Sequence, residues 1–179
     1  AGSLPEWTKG RDLYGKTLGI VGIGEIGKRV ARICGKGFNM GVLASDPFVT
    51  KEQAAQLGTE LVDLETLLRN SDFVSVHVPL SAKTKGLIGA KEIALMKKSA
   101  ILVNTSRGPI VDEQALTKAL QKRKIAGAGL DVFEREPLPM DSPLLELDNT
   151  VVTPHIAGDT SEALDGISDM VVEEATRII

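Results

Sequence analysis

Four side chains with anion-binding or acid–base chemistry follow predicted strands in the second half of the chain: Arg107, Asp131, Glu136 and His155. An arginine guanidinium binds a carboxylate through two parallel hydrogen bonds. A histidine gives or takes a proton near neutral pH, and a neighbouring carboxylate holds its ring in one orientation. Together they predict a site that binds a small organic acid and moves a proton. Singly, each has a plainer interpretation, as a surface charge, a loop residue or part of a solvated charged run.

A glycine-rich turn in the first half has the spacing of a phosphate-binding loop. The stretch Thr17–Gly27 reads TLGIVGIGEIG, an apolar run followed by Gly22, Gly24 and Gly27 and then by helical periodicity. In such a turn the first glycine permits the bend, the second lets a pyrophosphate approach the backbone, and the third packs the helix on the strand. Free amides at the helix start bind phosphate without a lysine. The alternative is a glycine-rich turn that binds nothing.

An acidic residue after the second predicted strand indicates which dinucleotide would bind. Asp46 directly follows the apolar run 41–45 and lies 19 positions after Gly27. A carboxylate there accepts hydrogen bonds from the adenosine ribose and repels a 2′-phosphate, and no arginine follows in 47–51. We therefore predict NAD rather than NADP.

The elements that must position these side chains alternate between strand and helix. After the strand in Thr17–Gly27, apolar runs predict strands at 41–45, 60–62, 72–78, 100–104, 125–131 and 150–153. Amphipathic stretches predict helices from Ile26, at 51–57, after the cap Asp63, at 91–98, after the cap Asp112, and from Thr160 to the end. The pattern indicates an α/β, Rossmann-type doubly wound, mostly parallel sheet with helices on both faces. The first helix is expected to bury Ile26, Val30, Ile33, Cys34 and Phe38.

Composition excludes several other classes of protein. The 179 residues are 42% hydrophobic and 25% charged with a net charge of −3, which predicts one globular domain that binds neither nucleic acid nor a membrane surface. One cysteine, Cys34, rules out an internal disulfide, and two histidines with one cysteine, widely separated, do not predict a metal site. No signal-peptide pattern or membrane-length apolar run is present, so a cytoplasmic location is expected.

Five motifs span nearly the whole chain in a fixed order. They are GIGEIG at 22–27, HVPL at 77–80, NTSRG at 104–108, LDVF at 130–133 followed by Glu136-Pro137, and PHIAG at 154–158. The chain thereby resembles the cofactor domain of the D-isomer-specific 2-hydroxyacid dehydrogenases, a family that includes phosphoglycerate, glycerate/hydroxypyruvate and D-lactate dehydrogenases.

The resemblance implies hydride transfer between NAD(H) and a D-2-hydroxy acid or 2-keto acid, with 3-phosphoglycerate or glycerate/hydroxypyruvate among the candidates. It implies that Arg107 binds the substrate's carboxylate and keto oxygen, that His155 is the acid/base, and that Glu136 keeps the histidine protonated. Asp131 would face the nicotinamide carboxamide. The cofactor is expected to contact Gly22, Gly24, Glu25, Ile26, Gly27, Asp46, His77, Val78, Pro79, Thr84, Thr105, Ser106, Arg107, Asp131, His155 and Gly158.

Two residues and the chain length depart from the family pattern. Glu25 stands where the family often has a basic residue, and Asp159 where small or apolar residues are usual. We expect residues 1–16 to form an arm or inter-domain crossing segment, and 17–179 the dinucleotide-binding domain. The family's second, flavodoxin-like substrate domain is expected to be largely absent, so this chain alone would bind NAD with little or no turnover. The resemblance also implies a homodimer formed through this domain.

Two alternatives to a 2-hydroxyacid dehydrogenase remain open at this point. One is an NAD-sensing module, because some relatives with this fold act as transcriptional corepressors and retain the catalytic residues. The other is a different NAD enzyme, such as a formate dehydrogenase or a hydrolase with tightly held NAD. The second is disfavoured because formate dehydrogenases usually carry glutamine where Glu136 stands.

Overall fold

The computed structural model describes residues 10–178, so residues 1–9 and 179 lie outside the account below. The strands are β1 (Thr17–Val21), β2 (Gly41–Ser45), β3 (Glu60–Leu61), β4 (Phe73–Val76), β5 (Ile101–Asn104), β6 (Gly127–Leu130) and β7 (Thr150–Val152). The helices are α1 (Glu25–Gly37), α2 (Lys51–Gln56), α3 (Leu64–Asn70), α4 (Ala90–Leu95), α5 (Glu113–Gln121) and α6 (Ser161–Ile178). Short 3-10 turns span Gly108–Ile110 and Pro143–Glu146.

The seven strands form one sheet in the order β3-β2-β1-β4-β5-β6-β7, and every neighbouring pair is parallel. The predicted Rossmann-type fold is therefore confirmed. The strand order reverses between β1 and β4, and in such sheets ligands bind in the crevice outside the carboxyl ends at that point. The glycine turn follows β1, and the other predicted site residues follow β2, β4, β5, β6 and β7, so all of them lie along one edge.

The core lies on both faces of the sheet, as the side-chain alternation of β1 requires. Leu18 and Ile20 pack with Ala31 of α1 in a cluster on one face. Val21 belongs to the larger cluster on the other face, with the buried leucines of α3. A Cβ on Gly19 would collide with Leu67 of α3, which explains the glycine at that position. The predicted covering of both faces by helices is thus confirmed.

The prediction that α1 buries its apolar face is wrong for the largest side chains of that face. Ile26 is 65% exposed and Ile33 is 56% exposed, whereas Gly27 and Ala31 are buried. The reason is close approach: a Cβ on Gly27 would collide with the carbonyl oxygen of Gly22, so the helix contacts the sheet through its smallest residues. The larger side chains of Ile26 and Ile33 therefore lie beside this helix–sheet contact, where they remain exposed. The prediction also fails for Phe38, which is 42% exposed, while Val30 and Cys34 are half-buried, and burial raises the pKa of the Cys34 thiol.

The expected helix at 91–98 ends earlier than predicted. The helix α4 stops at Leu95 because Met96 is extended and buried. Lys97 therefore lies beyond the end of the helix, and its Nζ donates to Asp72 Oδ1 at 2.9 Å. The predicted caps Asp63 and Asp112 are confirmed, since each accepts a backbone N–H three residues on, at 2.8 and 2.9 Å.

The predicted N-terminal arm, residues 1–16, falls largely outside the described residues. Residues 10–16 form no helix and lead into β1 through a turn at Tyr14–Gly15. Arg11 Nη1 in this segment donates to Ser99 O at 2.6 Å. None of the helices within 10–178 is both long and apolar enough to cross a membrane.

Candidate cofactor and acid–base site

The three glycines of the turn after β1 meet different surroundings. Gly22 has φ +89, and a Cβ on it would collide with the Val78 side chain. Gly24 has extended backbone at the start of α1, and a Cβ on it would meet nothing within 4 Å. The fold therefore needs glycine at 22 and 27, whereas the space above Gly24 is open. The first amides of α1 have no partner within the helix and no side-chain cap, so this opening suits the phosphates of a dinucleotide.

Asp46 is held against the same turn. Its Oδ2 accepts the Ile23 N–H at 3.0 Å, and its Oδ1 accepts the Phe48 N–H at 2.9 Å. Each oxygen keeps a lone pair for a ribose hydroxyl. Glu25, the acidic departure in the turn, is 82% exposed and pairs with Lys28 at 3.2 Å, which offsets its charge near the expected phosphates.

The loop after β4 carries the predicted cofactor contacts His77, Val78, Pro79 and Thr84. Val78 lies against the glycine turn, as its closeness to position 22 shows. His77 Nε2 lies 2.8 Å from Ser75 Oγ, and burial lowers the pKa of His77, which favours its neutral ring. Thr84 Oγ1 donates to Pro79 O at 2.6 Å, so this hydroxyl closes the loop.

A buried asparagine shapes the turn that carries Arg107. Asn104 is 1% exposed at the end of β5; its Oδ1 accepts from Ser106 N at 3.1 Å and Oγ at 2.8 Å, and its Nδ2 donates to Arg107 O at 3.1 Å. Arg107 and Thr105 are exposed, and Arg107 Nη1 donates to Ser106 O at 2.6 Å. Asn104 was not among the predicted site residues. The sequence feature that could have identified Asn104 is an amide side chain at the end of an otherwise apolar strand.

The turn of Arg107 is packed onto the loop after β6. A Cβ on buried Gly108 would collide with the carbonyl group of Phe133, so the two backbones touch. In that loop Phe133 N donates to Glu136 Oε1 at 3.0 Å, and Glu134 N donates to Glu113 Oε2 at 2.9 Å. The contact brings Arg107 close enough for its charge to act on Glu136.

Glu136 and His155 form the direct pair of the site. Glu136 Oε2 lies 2.6 Å from His155 Nδ1, so Nε2 of the half-exposed ring is left for another partner. Glu134, the other acid of this run, does not make the contact. The hydrogen bond from His155 and the amide of Phe133 hold the pKa of Glu136 below its usual value, and the charges of His155 and Arg107 add to that effect.

Asp131, which follows β6, is buried and bound by the segment that follows β7. It is 3% exposed and accepts from Thr153 Oγ1 at 2.5 Å, Ile156 N at 2.9 Å and Ala157 N at 2.8 Å. Burial alone would raise the pKa of Asp131, but these hydrogen bonds outweigh it and keep the pKa below its ordinary value. Three of its roughly four acceptor positions are thus used internally, and one is left for the predicted carboxamide contact. Thr153 was missed because its partner is distant in sequence.

A pocket of 420 Å³ adjoins the Glu136–His155 pair. Its other walls are mostly apolar: Phe133, Pro137, Leu138, Met140, Leu145, Val152, Thr153 and Pro154. Gly158, predicted near the nicotinamide, is exposed, and a Cβ on it would meet nothing within 4 Å. Within residues 10–178, no three His, Cys, Asp or Glu side chains are grouped so that they could hold a metal ion.

Replacing His155 by alanine should raise the pKa of Glu136 toward its ordinary value, because the contact that lowers it most is lost. The pKa of Glu136 is lower in the folded parent protein than in the unfolded chain, where it is about 4.3. Ionised Glu136 therefore stabilises the folded state above about pH 4.3, and this stabilisation is lost as the pH falls through the folded pKa. Carboxyl ¹³C NMR titration measures the shift. Arg69→Ala, which removes the exposed Arg69–Glu65 pair, is the control. An unchanged Glu136 titration in His155→Ala would contradict the pairing.

Comparisons with known proteins place these observations in a family. Residues 2–157 match the family described as D-isomer specific 2-hydroxyacid dehydrogenase, NAD binding domain. The chain is 52% identical over 169 residues to a glyoxylate reductase of Korarchaeum cryptofilum, covering 94% of this chain and 51% of that protein. It is 48% identical over 172 residues to a D-3-phosphoglycerate dehydrogenase of Methanocaldococcus jannaschii, covering 96% of this chain and 32% of that protein. The chain thus spans about a third to a half of these relatives.

Solved structures agree over nearly the whole chain. The NAD-complexed form of a D-isomer specific 2-hydroxyacid dehydrogenase from Lactobacillus delbrueckii ssp. bulgaricus matches with a TM-score of 0.87 and 34% identity, covering 98% of this chain and 56% of that one. A D-lactate dehydrogenase with NAD+ from Lactobacillus jensenii matches with the same TM-score and identity, covering 96% and 55%. The chain therefore belongs to the D-isomer-specific 2-hydroxyacid dehydrogenase family, in which it corresponds to the NAD-binding domain.

Proposed function

We propose that this domain serves an enzyme that transfers a hydride between NAD(H) and a D-2-hydroxy acid or its 2-keto acid. The observation that carries the proposal is the 2.6 Å contact between His155 Nδ1 and Glu136 Oε2, beside Arg107 and on the sheet edge that holds the glycine turn. A small keto acid is the substrate class that suits an arginine and a proton donor. Relatives named glyoxylate reductase and D-3-phosphoglycerate dehydrogenase support that class.

In this proposal the residues divide the work between binding and proton transfer. The amides at the start of α1 bind the pyrophosphate and Asp46 binds the adenosine ribose. When bound, NADH supplies the hydride. Arg107 binds the substrate carboxylate and orients its keto group. His155 donates a proton from Nε2 to the keto oxygen as it becomes a hydroxyl, while Glu136 holds Nδ1–H and stabilises the charged ring.

The spacing along the edge suits one extended cofactor. Neighbouring strands lie about 4.8 Å apart, so the ends of β2 and β6, four steps apart, are separated by roughly 19 Å. An extended dinucleotide reaches across that distance. Its adenosine end would then lie near Asp46 and its nicotinamide end near Asp131, His155 and Gly158. Further contacts of the cofactor with Ile26, His77, Val78, Pro79, Thr84, Thr105 and Ser106 are part of the proposal.

We also propose that turnover needs protein beyond these 179 residues. Arg107 and His155 are both exposed, and an open edge does not exclude water from a reacting centre. The relatives are about two to three times as long as this chain, so they contain enough additional residues for a second wall. Residues 17–179 would then be the dinucleotide-binding domain, with 1–16 as the crossing segment.

We also propose that the protein forms a homodimer through this domain and that it is located in the cytoplasm. The exposed isoleucines of α1, and the exposed Leu164, Ile167 and Val171 of α6, are apolar surface of the kind that interfaces cover. The corepressor-like alternative gains no support from the relatives described above, which are named as reductases and dehydrogenases.

Replacing Asp46 by asparagine should weaken NAD binding about tenfold and narrow the preference for NAD over NADP. Asparagine keeps the shape but removes the charge that repels a 2′-phosphate. Its Nδ2 also cannot accept one of the two backbone N–H groups that Asp46 binds, which contributes to the weaker binding. Calorimetric titration with each cofactor measures both affinities. Asp148→Asn, at an exposed acid paired with Arg123, is the matched control and should change neither. Unchanged affinities in Asp46→Asn would count against the assigned role.

The proposed reaction is tested with a panel of keto acids and NADH. Glyoxylate, hydroxypyruvate, 3-phosphohydroxypyruvate and pyruvate are offered to a protein that joins this domain to a second domain like that of its relatives. We expect at least one acid to oxidise NADH. Tight NAD binding with no oxidation by any acid would instead favour a sensor. Ordinary turnover by the 179-residue chain alone would refute the need for a second wall.

A further inference from the structure

The backbone of His155 has an unusual conformation for its residue type. Its φ is +58, in the left-handed region that side chains with a Cβ rarely adopt. Such a conformation persists only where the surrounding structure fixes it. The contacts on either side of His155 therefore decide where its ring lies.

One buried carboxylate holds both sides of this turn. Asp131 accepts from the Thr153 hydroxyl before the histidine, and from the amides of Ile156 and Ala157 after it. Thr153 N also donates to Leu130 O at 2.9 Å, and His155 N donates to Thr153 O at 3.0 Å. Thr153 thus connects the end of β7, the histidine and the carboxylate.

We propose that Thr153 is a positioning residue that keeps His155 against Glu136 by fixing the Asp131 carboxylate. Its hydroxyl shares Oδ1 with the Ile156 amide, while Oδ2 takes the Ala157 amide. Without the hydroxyl, a 3% exposed carboxylate loses one of three donors and its orientation is less well defined. The amides that it holds then move, and the imidazole moves with them. The proposal rests on the function proposed above, because it concerns the same acid–base pair.

The test uses the 179-residue chain and needs neither substrate nor turnover. Thr153→Val replaces the hydroxyl by a methyl group of similar shape, Thr153→Ala removes it without added bulk, and Thr153→Ser retains it. Glu136 is the reporter, because His155 and Arg107 are the charged groups that act on it and its bond to His155 lowers its pKa most. Thr150→Val is the matched control: its hydroxyl, also on β7, donates to Leu144 O and Leu147 O, away from the histidine.

We expect the pKa of Glu136, followed by carboxyl ¹³C NMR, to rise by about half a pH unit or more in Thr153→Val and Thr153→Ala. It should stay at the parent value in Thr153→Ser and Thr150→Val. A parent-like Glu136 titration in folded Thr153→Ala would overturn the proposal, as would an equal rise in Thr150→Val. The Glu136 titration reports on the Glu136–His155 contact and not on catalysis. A result that refutes the role of Thr153 therefore leaves the proposed reaction untouched. Conversely, absent turnover in the keto acid panel would leave this result intact.

Discussion

Replacing Gly24 by valine should weaken NAD binding by at least about 100-fold, or ~2.8 kcal/mol, and lower the stability of the domain by no more than about 1 kcal/mol. The backbone of Gly24 is extended, with φ −71 and ψ −161, so it lies outside the left-handed region that favours glycine. The small loss of stability is expected because valine is a poorer N-cap than glycine. A Cβ at this position meets no atom within 4 Å apart from those of its chain neighbours. We therefore expect the added side chain to project into the space proposed for the pyrophosphate. Calorimetric titration with NAD and thermal unfolding measure the two effects.

Two other glycines are matched controls for this result. Gly27→Ala places a Cβ against the carbonyl oxygen of Gly22, and should destabilise the domain by about 1–3 kcal/mol. Gly166→Ala adds a Cβ in open space on α6, far along the chain from the turn. It should leave NAD affinity unchanged and slightly raise the melting temperature, because alanine favours a helix interior over glycine. If Gly24→Val bound NAD as tightly as the parent, the open space above the turn would not be the phosphate site.

Replacing His155 by glutamine should lower turnover by about 10²–10⁴-fold in a protein that joins this domain to a second domain like that of its relatives. Glutamine fills similar space but cannot supply a proton to the keto oxygen. NAD affinity of the 179-residue chain should change little, because the adenosine and pyrophosphate contacts lie at the other end of the groove. Steady-state kinetics with the accepted keto acid and calorimetry with NAD separate the two quantities.

Asp159→Asn provides the control for this substitution, since it changes an exposed acid four residues away without removing a proton donor from the pair. It should retain turnover. Turnover by His155→Gln equal to that of the parent would remove the histidine from the proposed chemistry. Equal loss of NAD binding and turnover would instead assign it to cofactor binding.

Local sequence patterns were sufficient to predict the sheet and the glycine turn after β1. A strand, three glycines, a helix and Asp46 occur in order, and each local preference agrees with the fold that forms. The caps Asp63 and Asp112 were predictable for the same reason, because a cap satisfies amides only three residues away.

Features that depend on distant contacts could not be predicted in this way. Helical spacing predicted burial of Ile26 and Ile33. Both are exposed because α1 contacts the sheet through Gly27, which lies close to the carbonyl of Gly22. Thr153 matters only because Asp131, 22 positions earlier, lies beside it in the sheet. The sequence shows an asparagine at position 104, but its burial and its hydrogen bond to Arg107 O could not be predicted from a local pattern.

An amide NMR titration of the 179-residue chain with NAD shows directly which edge of the sheet binds the nucleotide. We expect saturable shifts at 22–27, at 46–48 and at 155–158, which together span the carboxyl edge of the sheet. We expect none at Lys16, Asp72 and Ser99, which precede strands at the opposite edge. Shifts confined to that opposite edge, or no saturable shift at the glycine turn, would contradict the claim that one edge binds the nucleotide beside the acid–base pair.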